Sequence, residues 1–216
     1  MAYRNRRNRL SEREETRLSK LLALLLRHQP EHAGVELDEH GAVDIDELAD
    51  AVSALPGWSF LRPEHIIDLV SNCPRSRFQM DEKAHTVRAS YGHSLPVPVV
   101  YDPVDPPARL YHGTSPEDAE RIKADGLLPM DRQYVHLSNT ARIAYEVGSR
   151  HAEKPHVLVI DAEAAHRDGI VFHRATDEVW LVAQVPAQYI IEWDKLAEDR
   201  DSDDDTDSDD NTDPAD

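Results

Sequence analysis

Charged and hydroxyl side chains gather around one glycine near the middle of the chain. The stretch Val87–Ser94 carries Arg88, His93 and Ser94 on either side of Gly92. Val87 begins a short strand pattern, and Gly92 permits a turn that a residue with a Cβ resists. Arginine holds anions such as phosphate through paired hydrogen bonds, and histidine exchanges protons near neutral pH. Two interpretations fit: a cleft lined by these groups, or a surface arginine beside a hairpin with a histidine capping a turn.

A second arginine and histidine, Arg27 and His28, follow a leucine-rich stretch. A helical repeat predicts an amphipathic helix from about Thr16 to His28, built on Leu18, Leu21, Leu22 and Leu25. Pro30 ends it, because the residue before a proline is pushed out of the helical region. The helix dipole favours positive groups in the last turn, which would account for the pair without any function. His28 nevertheless shares the face of Leu25, so it needs a polar partner or a cleft.

The elements around these residues suggest two lobes. Further short helices are predicted near residues 47–52 and 62–70, followed by a hairpin at 78–80 and 86–88. Three helices and a two-stranded wing are the winged-helix arrangement, which commonly binds nucleic acid. Residues 96–109 are rich in proline and are predicted to form a stiff, extended connector.

The second half of the chain reads as short strands with two early helices. Strands are predicted at 110–114, 134–138, 157–160, 170–172, 179–182 and 189–191, and helices at 119–125 and from 141 to about 151. Together with the first half they predict an α+β protein, whose second lobe is a split and mostly antiparallel sheet. A Gly-rich phosphate loop of the Rossmann or Walker type is not found in the sequence.

Composition and charge indicate the compartment of the protein and a separate segment at the end of the chain. The formal charge is −18, and the segment 198–216, with eleven acids and one arginine, accounts for −10 of it. That segment has almost no apolar area to bury and is predicted to be a disordered acidic tail. One cysteine excludes an internal disulfide and favours a reducing compartment. Because no stretch approaches the roughly 20 apolar residues of a membrane span, we expect a cytoplasmic protein with no membrane partner.

Taken in order, the chemically notable stretches resemble the RNA 2′-phosphotransferase family of the KptA type. The resemblance covers about Leu18 to Ile191 and rests on LLLRHQP (24–30), RASYGHS (88–94), LYHGT (110–114), VHLS (135–138), VGSRH (147–151) and EVWL (178–181). It implies a winged-helix RNA lobe over 1–95, the 96–109 connector and an NAD-binding lobe of the ADP-ribosyltransferase fold over 110–197. It also implies the reaction. The RNA 2′-phosphate attacks the NAD ribose and expels nicotinamide. The ribose 2″-hydroxyl then attacks phosphorus, releasing RNA 2′-OH and ADP-ribose 1″,2″-cyclic phosphate.

The resemblance also assigns roles to residues. Arg27, His28, Arg88 and Arg150 are implied to be catalytic and, with His93 and Ser94, to contact the substrate phosphate. The cofactor-binding residues implied are His112, Gly113, Thr114, His136, Leu137 and Ser138. Arginines suit a step that spreads negative charge over phosphoryl oxygens. Many ADP-ribosyltransferases carry a catalytic glutamate where this chain has Val179, which points away from modification of proteins.

The expected partner is RNA carrying an internal 2′-phosphate, as in tRNA splicing, bound by a monomer. NAD is expected as a consumed co-substrate, without a metal. Two alternatives stay open: ADP-ribosyl transfer onto a terminal phosphate of nucleic acid or onto protein without the second step, and a non-catalytic winged-helix binder. The first would make no cyclic phosphate, and the intact arginines argue against the second.

Overall fold

A computed structural model describes residues 9–73 and 76–192 of the 216-residue chain. The predicted acidic tail, 198–216, lies outside the described residues. The chain divides into two compact units. The first unit draws on Met1–Asp105, Leu128–His136 and Val171–Gln184, and the second on Pro106–Leu127, Leu137–Ile170 and Val185–Asp216.

Three α-helices lie in the described part of the first unit. Helix α1, Glu12–Arg27, begins at a capping box, in which the Ser11 hydroxyl accepts from the Glu14 backbone N–H and the Glu14 carboxylate accepts from the Ser11 N–H. It buries one leucine face, made of Leu18, Leu22, Leu25 and Leu26. A 3₁₀ turn, Pro30–His32, follows. Helix α2 spans Ile45–Ser53 and helix α3 spans Pro63–Ser71. The three predicted helices are confirmed, and α1 begins one turn earlier than its leucine repeat indicated.

A small antiparallel sheet completes the helical part of this unit. Its strands are β1 (Ala42–Asp44), β2 (Phe78–Asp81) and β3 (Thr86–Ala89), in the order β1-β3-β2. The predicted hairpin is β2 with β3, and its register places Gln79 opposite Arg88. The sequence did not predict β1, whose three residues are too few to show an alternating pattern. Val87 of β3 joins the leucines of α1 in one hydrophobic core.

The larger sheet has six strands in the order β7-β8-β5-β4-β6-β9. The strands are β4 (Arg109–Thr114), β5 (Val135–Ser138), β6 (His156–Asp161), β7 (Phe172–Arg174), β8 (Val179–Val182) and β9 (Ile190–Glu192). Helices α4 (Pro116–Asp125), α5 (Ala141–Gly148) and α6 (Ala162–Arg167) belong to the second unit. Five of the six predicted strands and both helices are confirmed, although α5 ends three residues earlier than predicted, and the strand predicted at 170–172 instead begins at Phe172. Helix α6 was not predicted. The mixed α+β class is confirmed, with two antiparallel sheets.

The proline-rich stretch contributes to the core of the first unit. Its backbone makes one isolated bridge, Pro103 with His173. Val99 and Tyr101 are buried there with Leu181. The stretch is therefore irregular, as its prolines require, but two of its side chains pack as core residues. No helix in the described parts of the chain is long and apolar enough to cross a bilayer.

Candidate active site

Arg27, the last residue of α1, places a guanidinium in a partly enclosed setting. Its Nη2 donates to the backbone carbonyl of Arg77 over 3.3 Å, and its Cζ lies over the Tyr91 ring, 5.3 Å from the ring centroid. Burial lowers the pKa of Arg27, and nearby Arg77 and Arg132 lower it further, whereas Tyr91 raises it. An arginine keeps its charge at neutral pH despite such a shift. Arg27 is therefore a fixed cation, oriented by an aromatic face and a carbonyl.

The imidazole of His28 is held by Ser94. His28 Nδ1 lies 2.8 Å from Ser94 Oγ, and the Ser94 backbone N–H donates to the Arg27 carbonyl over 2.9 Å. These contacts tie the turn after Gly92 to the end of α1 and direct the second ring nitrogen, Nε2, away from Ser94. Desolvation lowers the pKa of His28 below 6.5, with further lowering by Arg27 and Arg132. The ring is therefore neutral at pH 7 and can accept a proton.

His93 lies on the other side of the turn and is 3 % exposed. Its Nδ1 is 3.1 Å from the Tyr101 hydroxyl, which donates to the Ser90 carbonyl over 3.1 Å. A phenol has one proton to give, so His93 Nδ1 carries the hydrogen that meets the phenol oxygen. Its Nε2 faces Gly41, where a Cβ would stand 3.3 Å away. Burial, with Arg27, His28 and Arg88 as lesser causes, lowers the pKa of His93 to about 4.

Arg88 is oriented by the neighbouring strand. Its Nε and Nη2 both donate to Gln79 Oε1, over 2.9 and 2.7 Å, and Gln79 Nε2 donates to the Ala175 carbonyl over 2.6 Å. Gln79 is the cross-strand partner of Arg88, so its role follows from the hairpin register. Arg88 also lowers the pKa of His93 and counteracts the rise in the pKa of Tyr101.

A segment from later in the sequence joins this cluster within the first unit. The backbone N–H of Gln133 donates to the His93 carbonyl over 3.1 Å, and its side chain bonds the backbone at Leu95, Val97 and Val99. The exposed Arg132 is next to this anchor and lowers the pKa values of Arg27 and His28. His136 completes the group, with its ring edge-on to Tyr91 at 5.7 Å.

The other predicted residues lie on the second unit. Tyr111 pairs with Ser138, so the predicted segments 112–114 and 137–138 are on neighbouring strands. Gly113 packs against α5, where a Cβ would stand 1.8 Å from the Ala144 carbonyl oxygen. Because successive strand residues point to opposite faces, His112 and Thr114 project from the face opposite α5. Gly113 is thus accounted for by helix packing.

Arg150 follows α5 in a tight turn. Its backbone N–H donates to the Val147 carbonyl over 3.2 Å, and the residue is exposed. Gly148 ends α5, and a Cβ there would stand 2.6 Å from Pro155 Cβ. The turn therefore needs a small residue two positions before Arg150. In residues 9–73 and 76–192, no three His, Cys, Asp or Glu residues are grouped so that they could hold a metal ion.

The first unit therefore brings six predicted site residues into one connected set: Arg27, His28, Arg88, His93, Ser94 and His136. The second unit carries His112, Gly113, Thr114, Leu137, Ser138 and Arg150. Sequence reasoning missed the supporting residues Gln79, Tyr91, Tyr101, Arg132 and Gln133. Of these, only Gln79 could have been predicted from the sequence, because the predicted hairpin pairs residue 79 with Arg88.

Fixed arginines beside a neutral histidine are typical of an enzyme that binds a phosphate and moves a proton near it. Comparison with known proteins makes this specific. The family model described as "RNA 2'-phosphotransferase, Tpt1 / KptA family" matches residues 13–184. The chain belongs to this family of transferases, as its motifs predicted.

Individual relatives agree along nearly their whole length. The chain is 41 % identical to a "Probable RNA 2'-phosphotransferase" of Acaryochloris marina, over 81 % of this chain and 95 % of the relative. A protein of the same name from Streptomyces coelicolor is 41 % identical, over 84 % and 97 % of the two chains. One from Methanosarcina acetivorans is 35 % identical, over 84 % and 85 %.

Proposed function

We propose that this protein removes an internal 2′-phosphate from RNA by transferring it to NAD, which leaves RNA 2′-OH, nicotinamide and ADP-ribose 1″,2″-cyclic phosphate. The observation that carries the proposal is the arrangement of Arg27, His28 and Ser94, in a chain whose family acts on RNA 2′-phosphates. In this proposal α1–α3 with β1–β3 are a winged-helix lobe, and the six-stranded sheet β4–β9 is the sheet of an ADP-ribosyltransferase-like lobe.

The arginines suit both parts of such a reaction. A phosphomonoester with a second pKa near 6 is mostly dianionic at neutral pH, so it can act as nucleophile once it is held in place. Arg27 Nη2 donates to the Arg77 carbonyl and the guanidinium carbon lies over the Tyr91 ring, and these two contacts restrict the direction in which the remaining N–H groups point. Arg88 is likewise fixed by Gln79. Such preorganised donors stabilise charge that develops on phosphoryl oxygens without having to reorient.

His28 suits the proton transfer of the second part. Attack of the ribose 2″-hydroxyl on phosphorus releases a proton, and the departing RNA 2′-oxygen needs one. His28 is neutral at pH 7 because its pKa is lowered, and its Nδ1 is held by Ser94. Its Nε2 can then take the proton from the attacking hydroxyl and return one to the RNA oxygen. His93 is buried and neutral, so we assign it to supporting the turn that carries Ser94 and not to binding phosphate.

The second unit offers residues that fit NAD. His112 and Thr114 project from one face of β4, and α5 occupies the other at Gly113. Imidazole and hydroxyl groups donate and accept the hydrogen bonds that ribose and amide groups require. We propose that these residues and Ser138 hold NAD, and that Arg150 meets phosphate. NAD supplies the electrophilic ribose carbon and a cationic leaving group.

The test is incubation with NAD and an oligonucleotide that bears one internal 2′-phosphate, followed by chromatography of the products. ADP-ribose 1″,2″-cyclic phosphate and RNA 2′-OH are expected in equal amounts. The control substrate carries a 5′-phosphate and no 2′-phosphate. ADP-ribosylated RNA from that control, without cyclic phosphate from either substrate, would replace this function by simple ADP-ribosyl transfer.

Arg150→Ala and Arg142→Ala make a matched pair for the second unit. Both arginines are exposed residues in or next to α5, and Arg142 pairs with Glu146. Only Arg150→Ala should lose turnover, by roughly 30- to 1000-fold. Equal turnover in the two variants would remove Arg150 from the site.

A further inference from the structure

One face of α1 carries a row of cations that leads to Arg27. Arg13, Arg17, Lys20 and Arg27 are spaced by four, three and seven residues. At about 100° per residue they fall within roughly 80° of one another around the helix axis. The row extends over about 21 Å, from Arg13 to Arg27, at ~1.5 Å per residue.

The acidic residues of α1 lie on either side of this row and not within it. Glu12 and Glu14 fall about 60° from its nearest cation around the axis and Glu15 about 120°, and Glu14 is bound to the Ser11 cap. The leucine face is buried on the opposite side. The cations themselves are exposed at Arg13, Arg17 and Lys20. This row stands out in a chain with a net charge of −18.

Arg77 adds a cation beside this row. Its Nη1 donates to Ser19 Oγ over 3.3 Å, while its carbonyl accepts from Arg27 Nη2. Ser19 lies about 100° from Lys20 around the axis, so the Arg77 guanidinium flanks the row on one side, and its backbone carbonyl contacts the predicted phosphate ligand Arg27. We call Arg13, Arg17, Lys20 and Arg77 the basic ridge.

Aromatic rings adjoin the basic ridge at Arg17. The Arg17 guanidinium lies 5.0 Å above the Trp58 ring, and Trp58 is 5.9 Å from Phe60. Trp58 is 6 % exposed and Phe60 is 42 % exposed. Cations that follow a backbone, together with exposed rings on which bases stack, are the usual features of a surface for single-stranded nucleic acid.

We propose that the basic ridge and Phe60 bind the single-stranded RNA that flanks the 2′-phosphate. The ridge cations contact successive backbone phosphates, and Phe60 stacks with one unpaired base. The proposal rests on the proposed function for the position of the reacting phosphate at Arg27. It predicts that RNA length, and not the 2′-phosphate alone, determines affinity.

The test compares a 2′-phosphorylated dinucleotide with a single-stranded 12-mer carrying the 2′-phosphate at its centre. The ridge variant is Arg13→Gln with Lys20→Gln, and the matched control is Arg121→Gln with Lys123→Gln on α4, where both residues are also exposed. Binding is measured by fluorescence anisotropy without NAD, between 50 and 200 mM salt. The ridge variant should bind the 12-mer less tightly, with a salt slope smaller in magnitude by about 1.4, or ~0.7 for each lost phosphate contact.

Affinity for the dinucleotide should change less than twofold in both double variants, and the control should bind the 12-mer like the wild type. Phe60→Ala should weaken 12-mer binding by about tenfold with an unchanged salt slope, because stacking releases no counterions. The single variants Arg13→Gln and Lys20→Gln, each with about half the slope change, provide the same test if the double variant is unstable.

Several results would overturn the proposal. These are an unchanged 12-mer affinity in the ridge variant, an equal loss with the dinucleotide, an equal loss in the α4 control, or tighter binding of a blunt duplex than of the single strand. Because binding is measured without turnover, a ridge effect in a protein that makes no cyclic phosphate would refute the proposed reaction and leave the RNA surface standing.

Discussion

His93→Asn tests whether the buried network behind Ser94 is correctly described. The asparagine amide can replace the Nδ1 hydrogen that meets Tyr101, but it does not titrate. The wild-type pKa is lowered from 6.5 to about 4 in the folded protein. Above pH 6.5 neither state holds the proton, and between pH 6.5 and 4 only the unfolded state does. As the pH falls from 6.5 to 4, the free energy of unfolding of the wild type should therefore decrease by about 1.4 kcal/mol per pH unit, or about 3 kcal/mol in all.

The assay is urea unfolding of wild type, His93→Asn and the exposed control His32→Asn at pH 7.5, 6.5, 5.5 and 4.5. Carboxylates titrate in the same pH range. The informative quantity is therefore the difference between variants in the slope of the free energy of unfolding against pH. His93→Asn should lose stability at pH 7.5 but show a shallower decline towards acid, while His32→Asn follows the wild type. If the free energy of unfolding declined equally towards acid in the wild type and in His93→Asn, His93 would not be held neutral by burial. The description of the hydrogen-bond network around His93 would then be wrong.

Gly113→Ala should lower the free energy of unfolding by about 3 kcal/mol, because a Cβ would stand 1.8 Å from the Ala144 carbonyl; a urea midpoint equal to that of the wild type would contradict the packing of β4 on α5. Arg27→Ala should reduce turnover by roughly 30- to 1000-fold in a folded protein, and Arg27→Lys should restore little of it because lysine lacks the planar fork; single-turnover assays with circular dichroism measure both. Removing the charge at Arg132 should raise the pKa of His28, so the acidic limb of the pH–rate profile should move to higher pH in Arg132→Gln; an unmoved limb would mean that His28 does not set it.

Local patterns predicted the regular elements because each pattern has a direct physical cause. The leucine repeat fixed the buried face of α1, and alternating apolar residues marked the strands. The elements that were missed are short. Strand β1 has three residues, and α6 has six, beginning after Asp161, whose carboxylate accepts from the Ala164 backbone N–H. Too few residues share a period in such elements for the period to be visible.

The sequence named the cations of the candidate site but not the residues that support them. Arg27, His28 and Arg88 were proposed because their residue types suit phosphate chemistry and because the family resemblance assigned them roles, and those roles stay predictions. Tyr101 and Gln133 were not, since they reach the cluster across long sequence separations. Tyr101 lies in a proline-rich stretch. The prolines predict an irregular backbone there, but they do not predict which side chains of the stretch are buried. Long-range side-chain contacts depend on packing, and local spacing does not encode them.

The central claim is that a 2′-phosphate leaves RNA on NAD in two steps, and one measurement tests it directly. End-labelled RNA with a single internal 2′-phosphate is incubated with NAD and wild-type or His28→Ala protein, and a denaturing gel is sampled over time. The wild type should convert this RNA rapidly to RNA 2′-OH. His28→Ala should accumulate a slower-migrating, ADP-ribosylated RNA, because proton transfer in the second step is lost. Loss of the 2′-phosphate without NAD, or inorganic phosphate in place of the cyclic product, would contradict the two-step transfer to NAD.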